Sequence, residues 1–411
     1  MSPPTPWIAT RHEALTRLAA FVPSAGRAYA AKRNFDFGPG RHASVSTLSP
    51  YIRHRLITES DVVEAVLAAH SPAAAEKFVQ EVCWRTYWKG WLEQRPQVWD
   101  AYLDELENAR ARLRTDDAFA AEIAAAERGA SGIACMDAWA SELIETGYLH
   151  NHARMWFASV WIFTLRLPWV LGADFFYRHL LDGDAASNTL SWRWVAGLHT
   201  RGKTYLARAD NIATYTDGRF KPDAHDLAAF AQPLDDEPAP ERTPLRHPDT
   251  VPSRASVILL VTEDDLSPES WPIGDAHVCG VASFTEHDFG PNLSTPVRAF
   301  KASALEDAVA RASTHWNAPV QHCRDGVDLA TFAKRVSAEA AVTTIVPVGY
   351  LKSAIDEITI TSSQHGLPVL QISRRWDSLF WPHAKAGFFQ LKERIPATLA
   401  KLDLIPLERQ R

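Results

Sequence analysis

The hydrophobic pattern of this chain changes its period about half-way along the sequence. From Ser60 to Gly183, apolar residues recur at spacings of three and four, with Gly or Pro between the segments, which is typical of packed helices. Beyond residue 254, short apolar runs such as "ASVILLVT" and "AVTTIVPVG" alternate with helical stretches. That alternation predicts a parallel sheet covered by helices. We therefore expect an all-α part followed by an α/β part.

The stretch between these two parts, residues 221–254, is rich in proline and charge, which is typical of a linker. The expected domains are thus residues 1–220, all helical, and residues 255–411, α/β. Further strands are predicted at "HVCGVASF" and "LPVLQIS", and helices near Ser303–Trp316, Leu329–Ala340 and Leu351–His365. The first predicted strand is not followed by G-x-G-x-x-G, so we predict no dinucleotide fingerprint there.

Composition is that of a soluble globular protein, with 411 residues, 46% hydrophobic residues and a net charge of −6. Apolar runs stay well short of the ~20 residues that span a bilayer, and the first residues lack a secretory signal pattern. The four cysteines are scattered without a C-x-x-C pair, which predicts neither disulfides nor a zinc site. We therefore expect a cytoplasmic protein without a membrane or metal partner.

The stretch "GLHTRGKT", Gly197 to Thr204, matches the phosphate-loop pattern G-x-x-x-x-G-K-[ST]. That pattern carries meaning only when a buried strand precedes it and a helix opens at its lysine. Here two tryptophans, Trp192 and Trp194, stand where the strand should be, and the residues that follow are polar and turn-rich. A phosphate-loop nucleotidase is therefore the least favoured of the functions considered.

Several unusual features cluster in the helical part. "DGDAASN" contains two carboxylates and an amide, "EVCWR" combines an acid, a tryptophan and an arginine on one helix, and "HNHARM" and "STLSP" add further polar groups. Each has an ordinary explanation, because a DGD turn is usually solvated and Glu81 with Arg85 is a common i, i+4 pair. The histidines His150 and His152 are two residues apart on a predicted helix, so they point different ways and do not suit a metal pair.

Taken together and in this order, these features resemble the FAD-binding domain of the photolyase/cryptochrome family, from about Tyr29 to Phe220. The family patterns "TSRLSP", "ELxWREF" and "DGDxAxNxxxWQW" correspond to "VSTLSP", "EVCWRTY" and "DGDAASNTLSWRW" in this chain. The long segment "SGIACMDAWASELIETGYLHNHARM" also follows the family pattern. In the family, "GLHTRGKT" falls in a loop after the paired tryptophans.

The resemblance implies FAD bound inside the helical part. The family threonine before the first serine is Val45 here, and a family tryptophan corresponds to Phe78. The residues implied to hold the cofactor are Tyr29, Ser46, Leu48, Ser49, Phe78, Arg85, Asn151, Arg154, Asp182, Asp184 and Asn188. Among them, Asp182 would pair with Arg154 and Asn188 would face the flavin N5. A second, antenna chromophore is neither indicated nor excluded.

The resemblance also implies a substrate cavity of the cyclobutane pyrimidine dimer type, acting on damaged DNA by light-driven electron transfer from reduced flavin. The residues implied to receive the flipped dimer are Glu81, Trp84, Asn151, Met155 and Trp194. Trp192 and Trp169 would carry the first two steps of flavin photoreduction. The third position is Asp116, so the outer step would use another aromatic residue, such as Trp161 or Trp88, or would be absent.

Two questions stay open at this level. A cryptochrome-like photosensor with a protein partner is the alternative to a DNA repair enzyme, and the basic residues that could form a DNA-binding rim (Arg53, Arg55, Lys89, Arg201, Lys203) could equally be solvated charges. In the family, the α/β domain precedes the helical domain. Because "VILLVTEDDLSPES" resembles the beginning of that α/β domain, we expect a circular permutation, with an unrelated α/β module as the alternative.

Overall fold

The computed structural model describes residues 7–234, 240–285 and 291–405. Helices make up the regular structure of residues 7–226. They are α1 (Arg11–Phe21), α2 (Arg27–Lys32), α3 (Ser49–Arg53), α4 (Glu59–Ala69), α5 (Pro72–Glu93), α6 (Gln97–Leu113), α7 (Asp117–Glu127), α8 (Ala134–Thr146), α9 (Asn151–Ser159), α10 (Trp169–His179), α11 (Ala185–Val195) and α12 (Ala209–Tyr215). A π-helical turn, Val160–Thr164, follows α9 directly.

The helix starts follow from local chemistry. Thr58 caps α4 in a capping box with Asp61, so each side chain bonds the backbone N–H of the other. Ser71 caps α5 by accepting from the N–H of Ala74, and Pro72 occupies the first turn, where its missing N–H costs nothing. Asp184 caps α11, its carboxylate accepting from the N–H of Ser187 at 2.6 Å. The helix α11 is therefore anchored by an acid that the sequence marked as a site residue.

The 22-residue helix α5 lies at the centre of the helical part. It packs against α2, α4 and α11 and also against short helices near the C-terminus. Even its polar residues Thr86, Lys89 and Glu93 are buried. A helix that is buried on nearly all sides is part of a core rather than a surface helix, so its polar side chains need partners within the protein.

The second part of the chain is built on a parallel sheet. Its strands are β1 (Ser256–Val261), β2 (His277–Ser283), β3 (Val320–His322), β4 (Ala340–Thr344) and β5 (Val369–Ile372), in the spatial order β3-β2-β1-β4-β5. All four neighbouring pairs are parallel. The accompanying helices are α13 (Thr295–Trp316), α14 (Gly326–Val336), α15 (Tyr350–Gln364), α16 (Arg375–Phe380), α17 (Phe388–Lys392) and α18 (Ile395–Lys401).

The predicted fold class, a helical part followed by an α/β part with a parallel sheet, is confirmed. Four of the strands were predicted, but the short edge strand β3 was not. Helix α13 begins eight residues before the predicted Ser303, and α14 ends at Val336 because Ala340 already belongs to β4. Within the predicted linker, the described residues form a short 3₁₀ turn and otherwise coil, while residues 235–239 lie outside the described ranges.

The two parts share one hydrophobic core and a network of buried ion pairs. Arg55, which follows α3, donates to Asp377 of α16 at 2.7 Å and lies 3.4 Å from Asp265, which follows β1. Arg374 makes a two-pronged contact with the same Asp265 at 2.5 and 2.6 Å. The helical and α/β parts are therefore held together by buried ion pairs as well as by the shared core. No helix within the described ranges is long and apolar enough to cross a bilayer.

Candidate functional site

A cavity of about 570 Å³ opens among α5, α9, α11 and the segment that leads into α3. Its volume is typical of a site for a cofactor or a small ligand. The residues singled out from the sequence that line it are Tyr29, Ser46, Leu48, Ser49, Phe78, Glu81, Trp84, Arg85, Asn151, Arg154, Met155, Asp182, Asp184, Asn188, Trp192 and Trp194. The structure thus brings together residues from five separate stretches of the sequence, while their individual roles remain predictions.

Asp182 is one of two buried carboxylates in the cavity wall. Its Oδ1 lies 3.0 Å from Arg154 Nη1, and its Oδ2 lies 3.7 Å from Arg85 Nη2. Burial alone would raise the pKa of Asp182, but the two guanidinium groups more than offset it, so the pKa lies below its ordinary value. The expected pair of Asp182 with Arg154 is therefore present as a contact, and Asp182 is ionised at neutral pH.

Asp184 is surrounded by three cations. Its Oδ2 lies 3.5 Å from Arg53 Nε, 3.5 Å from Lys89 Nζ and 4.0 Å from Arg85 Nη1. Burial raises the pKa of Asp184, yet Lys89, Arg53 and Arg85 together hold it far below its usual range. This carboxylate stays charged over the whole physiological range and is a fixed negative group in the wall of the cavity.

The orientation of the Asn188 amide is settled by its neighbour. The Nδ2 of Asn188 donates to the backbone oxygen of Ala173 at 2.7 Å. A carbonyl oxygen only accepts hydrogen bonds, so the amide nitrogen must face Ala173 and the Oδ1 is the atom left to accept. Asn188 is therefore suited to receive a hydrogen bond from an N–H of a bound group.

Several buried polar atoms on cavity-lining side chains lack a hydrogen-bond partner among the described residues. They are Arg85 Nη1, Ser187 Oγ and Trp192 Nε1. Buried polar groups in folded proteins are nearly always paired, so such a concentration indicates that a polar ligand completes the site. With Asn188 as an acceptor and Arg85 as a donor, the cavity fits a large ring system with hydrogen-bonding groups, as the isoalloxazine of FAD has.

On the other side of the cavity, Glu81 forms an ion pair with Arg33, a residue that the sequence analysis did not single out. Both side chains are about 30% exposed. Arg33 lies one helical turn after Tyr29, so its position on the same side of the chain could have been inferred from the i, i+4 spacing. The Glu81 carboxylate is therefore engaged in this structure rather than open to an incoming group.

The aromatic walls of the cavity are also supported from outside. Phe388, the first residue of α17, stacks on Trp84 with ring centroids 3.8 Å apart and planes at 12°. Trp194 stacks on Tyr205 at 5.7 Å. Since Phe388 is absent from the residues that line the cavity, the α/β part holds Trp84 in place from behind.

Comparison with known proteins agrees with this geometry. Residues 78–236 match the family model described as the FAD binding domain of DNA photolyase. Over this segment, which is less than half of the chain, the protein is similar to the FAD-binding domain of DNA photolyase.

Curated relatives are named deoxyribodipyrimidine photo-lyase. The protein from Streptomyces griseus is 32% identical over 181 residues (41% of this chain and 38% of the relative), and that from Neurospora crassa is 28% identical over 239 residues (56% and 37%). The chain thus spans about two fifths of the length of the relatives it matches. Among solved structures, a bacterial class III photolyase from Agrobacterium tumefaciens matches with a TM-score of 0.40 and 25% identity, covering 51% of this chain and 43% of that one.

The predicted electron-transfer residues lie at different depths from the cavity of this photolyase-type domain. Trp192 lines the cavity, and its ring packs against Trp161 at 6.3 Å. Trp169 is buried elsewhere, next to Tyr102 at 5.6 Å. Asp116 caps α7 at the surface, as expected for a position without a redox-active ring. Among the aromatic rings around Trp192, Phe176 is closer at 5.2 Å, and Trp161 is the tryptophan in contact with it. The residue for the outer step, for which Trp161 and Trp88 were suggested, stays a prediction.

The stretch from Gly197 to Thr204 does not have the context of a phosphate loop. It directly follows helix α11 rather than a strand, and the residues after Lys203 continue as coil until α12 begins at Ala209. The match to the phosphate-loop pattern is therefore accidental.

Three of the basic residues suggested for a DNA-binding rim are in fact buried. Arg53, Arg55 and Lys89 are 3%, 5% and 3% exposed, and each pairs with a buried carboxylate. These buried partners lie 95 or more residues away in the sequence, where a local pattern carries no signal, so the suggestion of an exposed rim was wrong for these three residues. Arg201 and Lys203 are exposed and stay candidates.

Proposed function

We propose that this protein is a light-driven, FAD-dependent DNA photolyase that splits cyclobutane pyrimidine dimers. The observation that carries the proposal is that two sets of residues line the same cavity. One set consists of the polar groups expected around a flavin, and the other consists of Glu81, Trp84, Asn151, Met155 and Trp194. A cavity with both sets can hold a cofactor and a flipped base pair next to each other.

FAD would be held by the carboxylates Asp182 and Asp184 with their arginine partners, by Tyr29 and by the segment around Ser46. When bound and reduced, FAD would supply the light-driven electron that opens the dimer. The protein's part is to orient the cofactor, with the Asn188 Oδ1 presented as an acceptor, and to exclude water from the buried end of the cavity. The fit is supported by the unpaired atoms on Arg85, Ser187 and Trp192 within the described part of the cavity wall.

The substrate would be a pyrimidine dimer flipped out of damaged DNA. Extruding a damaged base pair costs less than extruding an intact one, which favours lesions. Trp84 and Trp194 offer flat surfaces for stacking, and Asn151 with Met155 lies one turn apart on the cavity side of α9. Glu81 would accept hydrogen bonds from the base edges after its ion pair with Arg33 opens, so Arg33 competes with the substrate for this carboxylate.

A second function, a cryptochrome-like photosensor, is favoured by one observation. The ion pair with Arg33 occupies the Glu81 carboxylate, which a repair enzyme needs for hydrogen bonds to the substrate bases. A sensor needs only the flavin half of the cavity. In that case, the light-driven change in flavin charge would be read by a protein partner rather than by DNA.

For the chain as a whole, we propose a helical FAD-binding domain at 1–220, a linker at 221–254 and an α/β domain at 255–411 that corresponds to the photolyase antenna domain in permuted order. The parallel, doubly wound strand order supports this relation. In such sheets, ligands bind at the carboxyl ends of the strands where the strand order reverses, here between β1 and β4. The cavity near this point, lined by Arg53, Asp264 and Tyr350, measures only about 10 Å³, which suffices for a single water at most.

The test is blue-light illumination of the reduced protein with an oligonucleotide that contains a thymine dimer. We expect dimer splitting by the wild type and selective binding of the damaged strand. Base–aromatic stacking contributes ~1–3 kcal/mol per base, so Trp194→Ala should weaken binding of dimer DNA roughly tenfold or more. Its flavin content should not change.

The matched control is Trp316→Ala, a half-buried tryptophan at the end of α13 in the α/β part. It should leave binding of damaged DNA unchanged. If the wild type binds FAD but neither splits dimers nor prefers damaged DNA, the repair proposal fails and the photosensor takes its place. A protein without flavin absorbance would contradict both.

A further inference from the structure

Behind the wall of the cavity lies a buried cluster of three potential metal ligands: Asp36, His42 and Glu142. One ligand atom from each lies within 4.8 Å of the other two. Asp36 and His42 belong to the segment between α2 and α3, and Glu142 belongs to α8. Asp36 and Glu142 are 0% and 3% exposed. These residues are far apart in the sequence and form no local motif, which is why the sequence predicted no metal site.

The internal hydrogen bonds of this cluster leave three buried atoms unpaired within the described structure: His42 Nδ1, Glu142 Oε1 and His150 Nε2. His42 Nε2 lies 3.3 Å from Glu142 Oε1 as an ion-pair contact. A separation of this size is also that of two ligands on one ion with bonds of ~2.0–2.2 Å. Three unpaired buried atoms at one place call for a missing occupant.

His150 shows which chemical group faces the cluster. It is 1% exposed, and its ring lies over that of His42 with centroids 6.2 Å apart and planes at 17°. Its Nδ1 accepts from the backbone N–H of His152 at 3.1 Å. The proton of a neutral His150 ring must therefore sit on Nε2, which makes this unpaired atom a donor and not a ligand.

The charges of the cluster also favour a cation. Asp36 is already oriented by Arg219, which donates to its Oδ2 at 2.6 Å, and by the N–H of Gly38 at 3.0 Å. Within the described residues, Arg219 and the imidazole of His42 are the side chains that face the two carboxylates of Asp36 and Glu142. Leaving a buried negative charge uncompensated is costly. Hydrogen-bond donors such as those on Asp36 typically hold a metal-binding carboxylate in position.

We propose that Asp36, His42 and Glu142 bind a divalent transition-metal ion, with His150 Nε2–H donating to a fourth, non-protein ligand. An imidazole nitrogen with two carboxylates suits zinc or manganese. The ion would hold the 36–48 segment against α8 and against the turn before α9. This segment carries Ser46 and Leu48, which line the cavity. The metal site is thus structural, and it does not depend on the proposed repair function.

The experiment measures metal content directly. The purified protein is stripped with a chelator, incubated separately with zinc and with manganese, freed of loose metal by gel filtration and examined by plasma mass spectrometry. We expect about one equivalent of one metal on the wild type. Glu142→Gln, which keeps the shape but removes the charge, should weaken retention roughly tenfold or more, and the metal should raise the melting temperature of the wild type but not of Glu142→Gln.

The matched control is Glu145→Gln, an exposed acid one turn further along α8, which should retain the metal fully. If Glu142→Gln fails to fold, His42→Gln tests the same site at a less buried position. The proposal is overturned if the wild type retains no stoichiometric metal, or if Glu142→Gln and His42→Gln retain as much as Glu145→Gln. In either case the cluster would hold only water.

Discussion

Replacing Asp182 by asparagine keeps the size of the side chain but removes its charge from the cavity wall. Two guanidinium groups then lose a counter-charge: Arg154, 3.0 Å away, and Arg85, 3.7 Å away. Burial already lowers the pKa of Arg85, so its charge is poorly solvated where it stands. Removing one partner of a buried pair costs about 3–5 kcal/mol. Because Arg154 is partly exposed and Arg85 keeps Asp184 at 4.0 Å, we expect the lower end, about 3 kcal/mol.

The loss is measured by denaturant titration of wild type and Asp182→Asn, followed by tryptophan fluorescence, together with the ratio of flavin to protein absorbance. A loss of about 3 kcal/mol corresponds to roughly a hundredfold change in an equilibrium constant, so the variant should purify with little flavin. The pKa of Asp182 is lowered in the folded protein, so its contribution is present above the unfolded value of about 3.9 and is lost as pH falls through the folded value. The difference between the two proteins should therefore shrink below about pH 4.

The control for this comparison is Asp210→Asn. Asp210 pairs with Arg208 at 2.9 Å, but both side chains are 69% exposed, so the change should leave the stability of the protein nearly unaltered. Should Asp182→Asn match this surface variant in stability and retain its full flavin content, the assigned electrostatics of the cavity would be wrong.

Three further outcomes follow from the structure. Burial lowers the pKa of His199 to about 3, so at acidic pH the unfolded chain binds a proton there that the folded chain does not. The stability of the folded protein should therefore fall from about pH 6.5 towards pH 3. The fall should be less steep in His199→Asn when denaturation midpoints are compared across pH. Trp192→Phe should slow blue-light reduction of the flavin severely, as followed by the loss of oxidised flavin absorbance, and an unchanged rate would show that another route feeds the cavity. Asp264→Asn should lower the flavin occupancy although Asp264 lies outside the helical part, because Asp264 pairs with Arg53, which in turn contacts Asp184. Unchanged occupancy would show that the α/β part does not influence the cavity.

Local patterns in the sequence were sufficient for the helices and for most of the sheet. The repeat of apolar residues at three and four spacings and the caps at Thr58 and Ser71 mark helices that the structure contains. The edge strand β3 was missed because it has only three residues, none of which is fully buried, so it lacks both the length and the burial pattern that mark a strand. Within the described residues it pairs with β2, whose partner residues lie 39 positions earlier in the chain, and a local pattern does not encode such a pairing.

The cavity residues could be selected because the family resemblance preserves their order and spacing, whereas their partners could not. Arg53 and Lys89 were read as surface cations, since an arginine or lysine is usually exposed. What buries them is a carboxylate at a distance: Asp184 for both, and Asp264 for Arg53. A single sequence does not encode such pairs, because they form only when distant segments fold together, and the pair with Asp264 also requires the α/β part to close on the helical part.

This closure bears on what the helical part can do by itself. Arg53 Nε donates to the backbone oxygen of Gly183 at 2.8 Å, between the two cavity carboxylates, while its Nη1 pairs with Asp264 at the carboxyl end of β1. Phe388 supports Trp84 on the other side of the cavity. The segment that matches the photolyase FAD-binding domain is therefore completed by residues far outside it. Asp264, which holds the Arg53 that bonds the DGD turn, and Phe388, which backs a proposed substrate wall, both come from the second half of the chain, so the cavity and the α/β part are physically coupled.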